Sequence, residues 1–213
     1  DGIESSISNN LALSAGQLLL VRGKKTDSFK MYSTPLLLQL NEEKAQEYIV
    51  QLNKTPENIS VYLSSFDLAL ISQVFPLFVG SKNTGELLSE LEISGQASDI
   101  FFKKTADDIQ ALASFADTST KYSQGIPGIE NISGSLSFTE QHLYIDLKAE
   151  QGSLDFDKHF VLPIPYESLQ STVDLSFKDD GWKLNVEEIE LNSNELSLNA
   201  DVTIESFENS PLT

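Results

Sequence analysis

From Gly125 to Phe207 apolar and polar residues alternate with a period of two. The apolar set runs Ile132, Leu136, Phe138; Leu143, Ile145, Leu147; Leu154, Phe156; Leu162, Ile164; Val173, Leu175, Phe177; Trp182, Leu184, Val186; Ile189, Leu191; and Leu196, Leu198, Ala200, Val202, Ile204. Ser, Asp, Glu, Lys, Asn and Thr lie between them. Successive side chains of a strand point to opposite faces, so the pattern predicts consecutive antiparallel strands with one apolar and one wet face. Turns are expected at Thr139–His142, Gln151–Ser153, Lys178–Gly181 and Asn192–Asn194, and the Asp180-Gly181 pair is a strong hairpin signal.

The first half alternates less cleanly. Three or four strands are expected between Ile3 and Leu40, with turns at Gly16 and Arg22–Asp27 and an edge or bulge at Pro35. Glu47–Leu52 and Ile59–Leu63 read as further strands. Period two breaks between Ser64 and Gly80, where Ser64 and Asp67 resemble a capping box and Leu68, Ile71, Phe75 and Phe78 fall at helical spacing. A helix is predicted from Phe66 to Phe75, ended by Pro76, and a second helical turn at Glu86–Leu91. Strands resume at Ile93–Ala97, Ile100–Phe102 and Ile109–Phe115, and Asp117–Gly128 reads as a turn-rich connector. The expected organisation is a single elongated unit over 1–213: first strands in 1–63, a helical insert in 64–92, strands and connector in 93–124, and a regular meander in 125–208.

Some fourteen strands with one apolar face cannot leave that face in water uncovered. Right-handed twist would curl such a sheet into a trough, and a lining of Leu, Ile, Val and Phe suits acyl chains. The fold expected is mainly β: a continuous curved antiparallel sheet forming an open hydrophobic groove, with one or two short helices. The alternative is a β-sandwich with a closed core, whose inner faces would show the same alternation. It would make the chain a structural or adhesive envelope domain.

Charge narrows the partners. The 14 Lys and Arg stand against 32 Asp and Glu, a net −18, which repels phosphate backbones and argues against nucleic acid. No apolar run is long enough to span a bilayer as a helix. Without cysteine there is neither a disulfide framework nor thiolate chemistry. Two histidines, His142 and His159, lack metal-ligand spacing, and no nucleophile elbow, phosphate loop or dinucleotide fingerprint is present. The carboxylate pairs Asp107-Asp108, Asp155 with Asp157, Asp179-Asp180 and Glu187-Glu188 could be a glycosidase's acid and base, but in so acidic a chain they read as wet strand and turn positions. No catalytic residue, metal or cofactor is assigned.

At Gly125-Ile-Pro-Gly-Ile-Glu-Asn-Ile-Ser-Gly-Ser-Leu-Ser-Phe138 the chain resembles the AsmA-like YhdP family of Gram-negative bacteria. The likeness continues through Leu154–Phe156, Phe160–Pro165, Gly181-Trp182-Lys183-Leu184 and Asn192–Leu198, while the first half, including Asp67-Leu68-Ala69-Leu70, follows the family in outline. The resemblance implies a periplasmic β-groove, anchored in the inner membrane by an N-terminal helix, that carries phospholipids toward the outer membrane. This chain would be a segment of such a bridge, reaching both membranes only through parts not present here. The resemblance brings no catalytic residues. Lipid contact is expected at Leu136, Phe138, Leu143, Ile145, Leu147, Leu154, Phe156, Leu162, Ile164, Val173, Leu175, Phe177, Trp182, Leu184, Val186, Leu196, Leu198, Val202 and Ile204.

Overall fold

A computed structural model describes residues 11–23, 27–40, 46–70, 89–123, 126–139, 141–157, 160, 162–178 and 181–207. The amino-terminal strands are short: β1 (Leu11–Ala15), β2 (Leu18–Arg22), β3 (Phe29–Ser33), β4 (Leu36–Leu40), β5 (Gln46–Tyr48) and β6 (Val50–Lys54). Longer strands follow: β7 (Ile59–Asp67), β8 (Ser94–Lys104), β9 (Ile109–Thr120), β10 (Gly128–Thr139), β11 (His142–Asp155), β12 (Ile164–Lys178), β13 (Gly181–Asn192) and β14 (Ser197–Phe207). Eleven of them form one antiparallel sheet in the order β14-β13-β12-β11-β10-β9-β8-β7-β6-β3-β2. From β6 onward each strand pairs with the next in sequence, mostly across short connections, although residues 68–93 separate β7 from β8. The sheet does not close into a barrel, and its strands span roughly 50 Å edge to edge.

The remaining three strands pair as β1-β4-β5, the same order as the β2-β3-β6 strands they run into. They are the same three ribbons, bent in one row: at Gly16-Gln17, at Thr34-Pro35 and at Ile49. A bend interrupts the ladder, and side-chain hydroxyls take over as acceptors. Gln17 N–H donates to Thr34 Oγ1, Val50 N–H to Ser33 Oγ and Ile49 N–H to Ser64 Oγ, each at 2.8 Å. Gly16 is required by its φ of 118° and because a Cβ there would lie 2.6 Å from Leu36 Cδ2. Pro35, expected at an edge or bulge, supplies the bend on the β3–β4 ribbon.

The long strands are interrupted in another way. Asp99, Asp117, Asn131, Gln151 and Glu188, one in each of β8, β9, β10, β11 and β13, have φ between 49° and 63°. Register shifts accompany them in β8–β9, β9–β10, β10–β11, β12–β13 and β13–β14. These are β-bulges, which bend a strand and raise its twist. The amide hydrogens they free find side-chain acceptors on the next strand: Asp117 N–H on Ser133 Oγ, Asn131 N–H on Ser119 Oγ and Glu188 N–H on Asp201 Oδ1.

Several expectations are corrected by this arrangement. Strands β8 to β14 are 11 to 15 residues long, because places read as turns are bulges inside them. Gln151–Ser153 lies within β11. Ile93–Ala97 and Ile100–Phe102 belong, from Ser94 on, to the single strand β8. The connector expected from Asp117 is strand until Thr120. Phe66 and Asp67 close β7 instead of opening a helix, and Leu68–Leu70 is one 3-10 turn; the rest of the helix expected to Phe75 lies outside the described residues. Of Glu86–Leu91, only 89–90 are described as helical.

Among the described residues the strands do not form a closed sandwich. Ala149, Tyr166, Leu169 and Leu191 form the one buried apolar cluster among the described residues, with Ile129, Ile132, Leu147, Leu154 and Ile189 against it, and no side chain falls below 2% exposure. The accessible surface of 14844 Å² compares with about 9,800 Å² for a compact monomer of this mass.

Candidate functional site

Cross-strand register joins the apolar positions into a continuous band. Leu20 on β2 faces Met31, which faces Leu52, then Val61, Phe102 and Ala111. From Ala111 the row passes to Phe138, Leu143, Leu175, Leu184 and Ile204 on β14. One rung therefore crosses all eleven strands without a polar residue. Its inner members are half-buried, and Leu20 and Ile204 at the two edges are exposed. Facing residues of an antiparallel pair hold their Cβ atoms about 5 Å apart, so the rung is a strip of touching hydrocarbon.

A second row lies one pleat away. Val50, Leu63 and Ile100 are in register, as are Ala113, Leu136, Ile145, Val173, Val186 and Val202. The two parts meet at the Asp99 bulge. Beyond it Phe115 faces Gly134, where an added Cβ would collide with the Asp146 carbonyl and the Phe115 ring; the glycine lets the ring lie flat on the sheet. At the far end Ile129, Leu154 and Ile164 are paired beside the buried cluster.

The eleven-stranded sheet thus presents one open apolar face, and register places most of the residues expected to touch lipid on it. Leu136, Phe138, Leu143, Ile145, Val173, Leu175, Leu184, Val186, Val202 and Ile204 belong to the two rows. By register, Leu147, Trp182 and Leu198 continue the same face, with Trp182 37% exposed; Phe177 pairs with Trp182 along the backbone. Three do not lie on the sheet. Leu162 sits in the β11–β12 connection and is 74% exposed. Phe156 lies just past β11 with its ring 5.4 Å from that of Phe160. Leu196 occupies the turn before β14, its N–H donated to Ser193 Oγ at 3.0 Å. Sequence reasoning left out the amino-terminal half of both rows, although Val50-x-Leu52, Val61-x-Leu63 and Ile100-x-Phe102 carry the same signal.

The opposite face is mixed: Leu19, Tyr32, Tyr62, Phe101, Leu112 and Tyr144 lie in one register among polar residues, and Leu19, Tyr32, Leu112 and Tyr144 are exposed. Of the groups weighed for chemistry, His159, Asp179 and Asp180 lie outside the described residues. His142 stacks on Tyr144 with ring centroids 6.1 Å apart, and its Nδ1 lies 3.6 Å from Asp174 Oδ1. Asp107 and Asp108 lie in the β8–β9 turn, and Glu187 precedes the bulge at Glu188. Asp155 Oδ1 accepts from Asp157 N–H at 2.8 Å, closing a local turn. Among the described residues no three acidic or histidine side chains come together as metal ligands. Two tyrosines are tuned by their surroundings. Burial, then the charge of Glu130, pushes Tyr166 up to about 12; its hydroxyl donates to the Glu130 carbonyl. Tyr62 is raised chiefly by its hydrogen bond to Asp99 Oδ1 at 3.0 Å, with burial and the Asp99 charge adding to it.

No helix among the described residues is long and apolar enough to cross a membrane. Neither a curated protein nor a solved structure matches the chain. A profile described as YhdP protein matches residues 3–212. That match covers the short amino-terminal strands as well as the long ones, and it accords with an open sheet that presents a hydrocarbon strip. The chain belongs to the YhdP family, a family of bridge-like lipid transport proteins.

Proposed function

We propose that this chain is one segment of a periplasmic bridge whose groove holds the acyl chains of phospholipids as they pass between the inner and outer membranes. The observation that carries the reading is the rung from Leu20 to Ile204, which offers hydrocarbon on all eleven strands without a polar break. Burying apolar surface is worth about 25 cal/mol per Å², and a half-buried rung leaves that energy to be collected by a ligand. Membership of a lipid transport family supports it. The segment acts as a single unit, with acyl tails against the two rows and headgroups toward solvent. The reading requires no catalytic group, and the polar residues of the opposite face serve solubility in the periplasm.

The test uses photo-crosslinking residues at Ile145, Leu175 and Leu184, with Leu162 and Leu196 as off-groove controls. Phospholipid adducts are expected at the first three and not at the controls. Leu175→Asp should abolish co-purified lipid in native mass spectrometry while circular dichroism stays that of the parent, because its side chain is only half-buried. Failure to capture lipid at any groove position, in cells and in vitro, would overturn the proposal.

A further inference from the structure

One pleat beyond the apolar rung, on the same face, the register runs Arg22, Phe29, Lys54, Ile59, Lys104, Ile109. Cation and hydrocarbon alternate strand by strand along the rim where the β2–β3, β6–β7 and β8–β9 turns lie. Successive cations are two strands apart, about 10 Å. All three are exposed, and none forms an ion pair with a described residue. In a chain of net charge −18, these three cations stand in one row of the groove face, with Asp27, Glu57, Asp107 and Asp108 in the turns beyond them.

The row has a structural repeat behind it. Lys54-Thr-Pro-Glu-Asn-Ile59 and Lys104-Thr-Ala-Asp-Asp-Ile109 make the same turn. Thr55 N–H donates to Asn58 O at 2.8 Å, and Thr105 N–H to Asp108 O at 2.8 Å. Asn58 N–H returns to Thr55 Oγ1 at 3.1 Å, and Asp108 N–H to Thr105 Oγ1 at 3.0 Å. The turn carboxylate of Asp108 is engaged by Gln110 Nε2 at 2.8 Å. Between Arg22 and Lys54 a recess of about 350 Å³ opens over Leu20 and Phe29, with Asp27 and Ser28 at its lip. It sets two cations against one carboxylate above an apolar floor.

Resting on the reading of the groove as an acyl-chain conduit, we propose that Arg22, Lys54 and Lys104 form a headgroup rail: they bind the phosphate of a glycerophospholipid whose tails lie on the apolar rung. The rail fixes which rim the headgroups leave by. It also makes this segment prefer phosphate-bearing lipids over neutral ones of the same tail length. Tail and phosphate are recognised together, by adjacent rows of one face.

The test measures retention of phosphatidylglycerol and of diacylglycerol with matched acyl chains by the 213-residue chain, using native mass spectrometry. The parent is expected to retain phosphatidylglycerol the more strongly. R22E/K54E/K104E should lower its retention about tenfold, as three screened charge contacts allow, and leave diacylglycerol unchanged; R22Q/K54Q/K104Q should show a smaller loss of the same sign. The preference should fade in about 1 M salt. Leu175→Asp should lose both lipids. An unaltered phosphatidylglycerol preference in both rim variants overturns the rail and leaves the conduit standing. A parent that retains neither lipid overturns both. Inorganic phosphate alone should give no saturable binding; saturation without lipid would assign the cations to the free ion and overturn the rail.

Discussion

Tyr166 shows how much a single side chain can hold in a sheet with so small a core. Its ring belongs to the cluster with Ala149, Leu169 and Leu191, and its hydroxyl supplies the Glu130 carbonyl with a partner next to the Asn131 bulge. Gly152 makes room for it, since a Cβ there would lie 2.6 Å from the Glu130 carbonyl oxygen. Replacing Tyr166 by Phe keeps the ring and orphans the carbonyl, a loss of about 1–3 kcal/mol in chemical denaturation at neutral pH. Because its pKa is raised from 10.0 to about 12 in the folded chain, the folded state holds its proton after the unfolded state has released it. Stability from this group is therefore complete below pH 10 and falls as pH rises toward 12. Y166F should lack that alkaline step, and the part of the parent's phenolate absorbance that Y166F lacks should appear together with unfolding.

At the scale of the strand, bulges decide what could be read from the sequence. The left-handed backbone at Glu188 disfavours a β-branched side chain, so Glu188→Val should lose about 1–2 kcal/mol while Glu188→Gly is neutral or stabilising, read as shifts of the urea midpoint. Each bulge inserts a residue and resets the alternation. Asp99 made one strand look like two, and Gln151 made the middle of β11 look like a hairpin. Where no bulge intervenes, as in Leu143-x-Ile145-x-Leu147 or Val173-x-Leu175, period two gave both the strand and the face correctly. Leu162 and Leu196 also fit the alternation, but period two does not register where a strand stops, and Pro163 and the Ser193–Leu196 turn do that. The bends at Gly16 and Thr34 could be suspected from Gly and Pro; the one at Ile49 has no such marker, because its ladder is mended by serine hydroxyls on neighbouring ribbons.

On the scale of the whole molecule, the open sheet makes ligand binding a source of stability. A short-chain phospholipid at about a hundred times its dissociation constant should stabilise the chain by about 2.7 kcal/mol, seen as a rise in thermal midpoint that Leu175→Asp abolishes. A sealed sandwich would show no such response. The rung from Leu20 to Ile204 also bears on movement. A methylene chain displaced by one strand would exchange one aliphatic or phenyl neighbour for another, so no step along the rung would meet a polar residue. If lipid passes through this stretch as proposed, its steps along the rung would need no local engine, because thermal agitation would supply them.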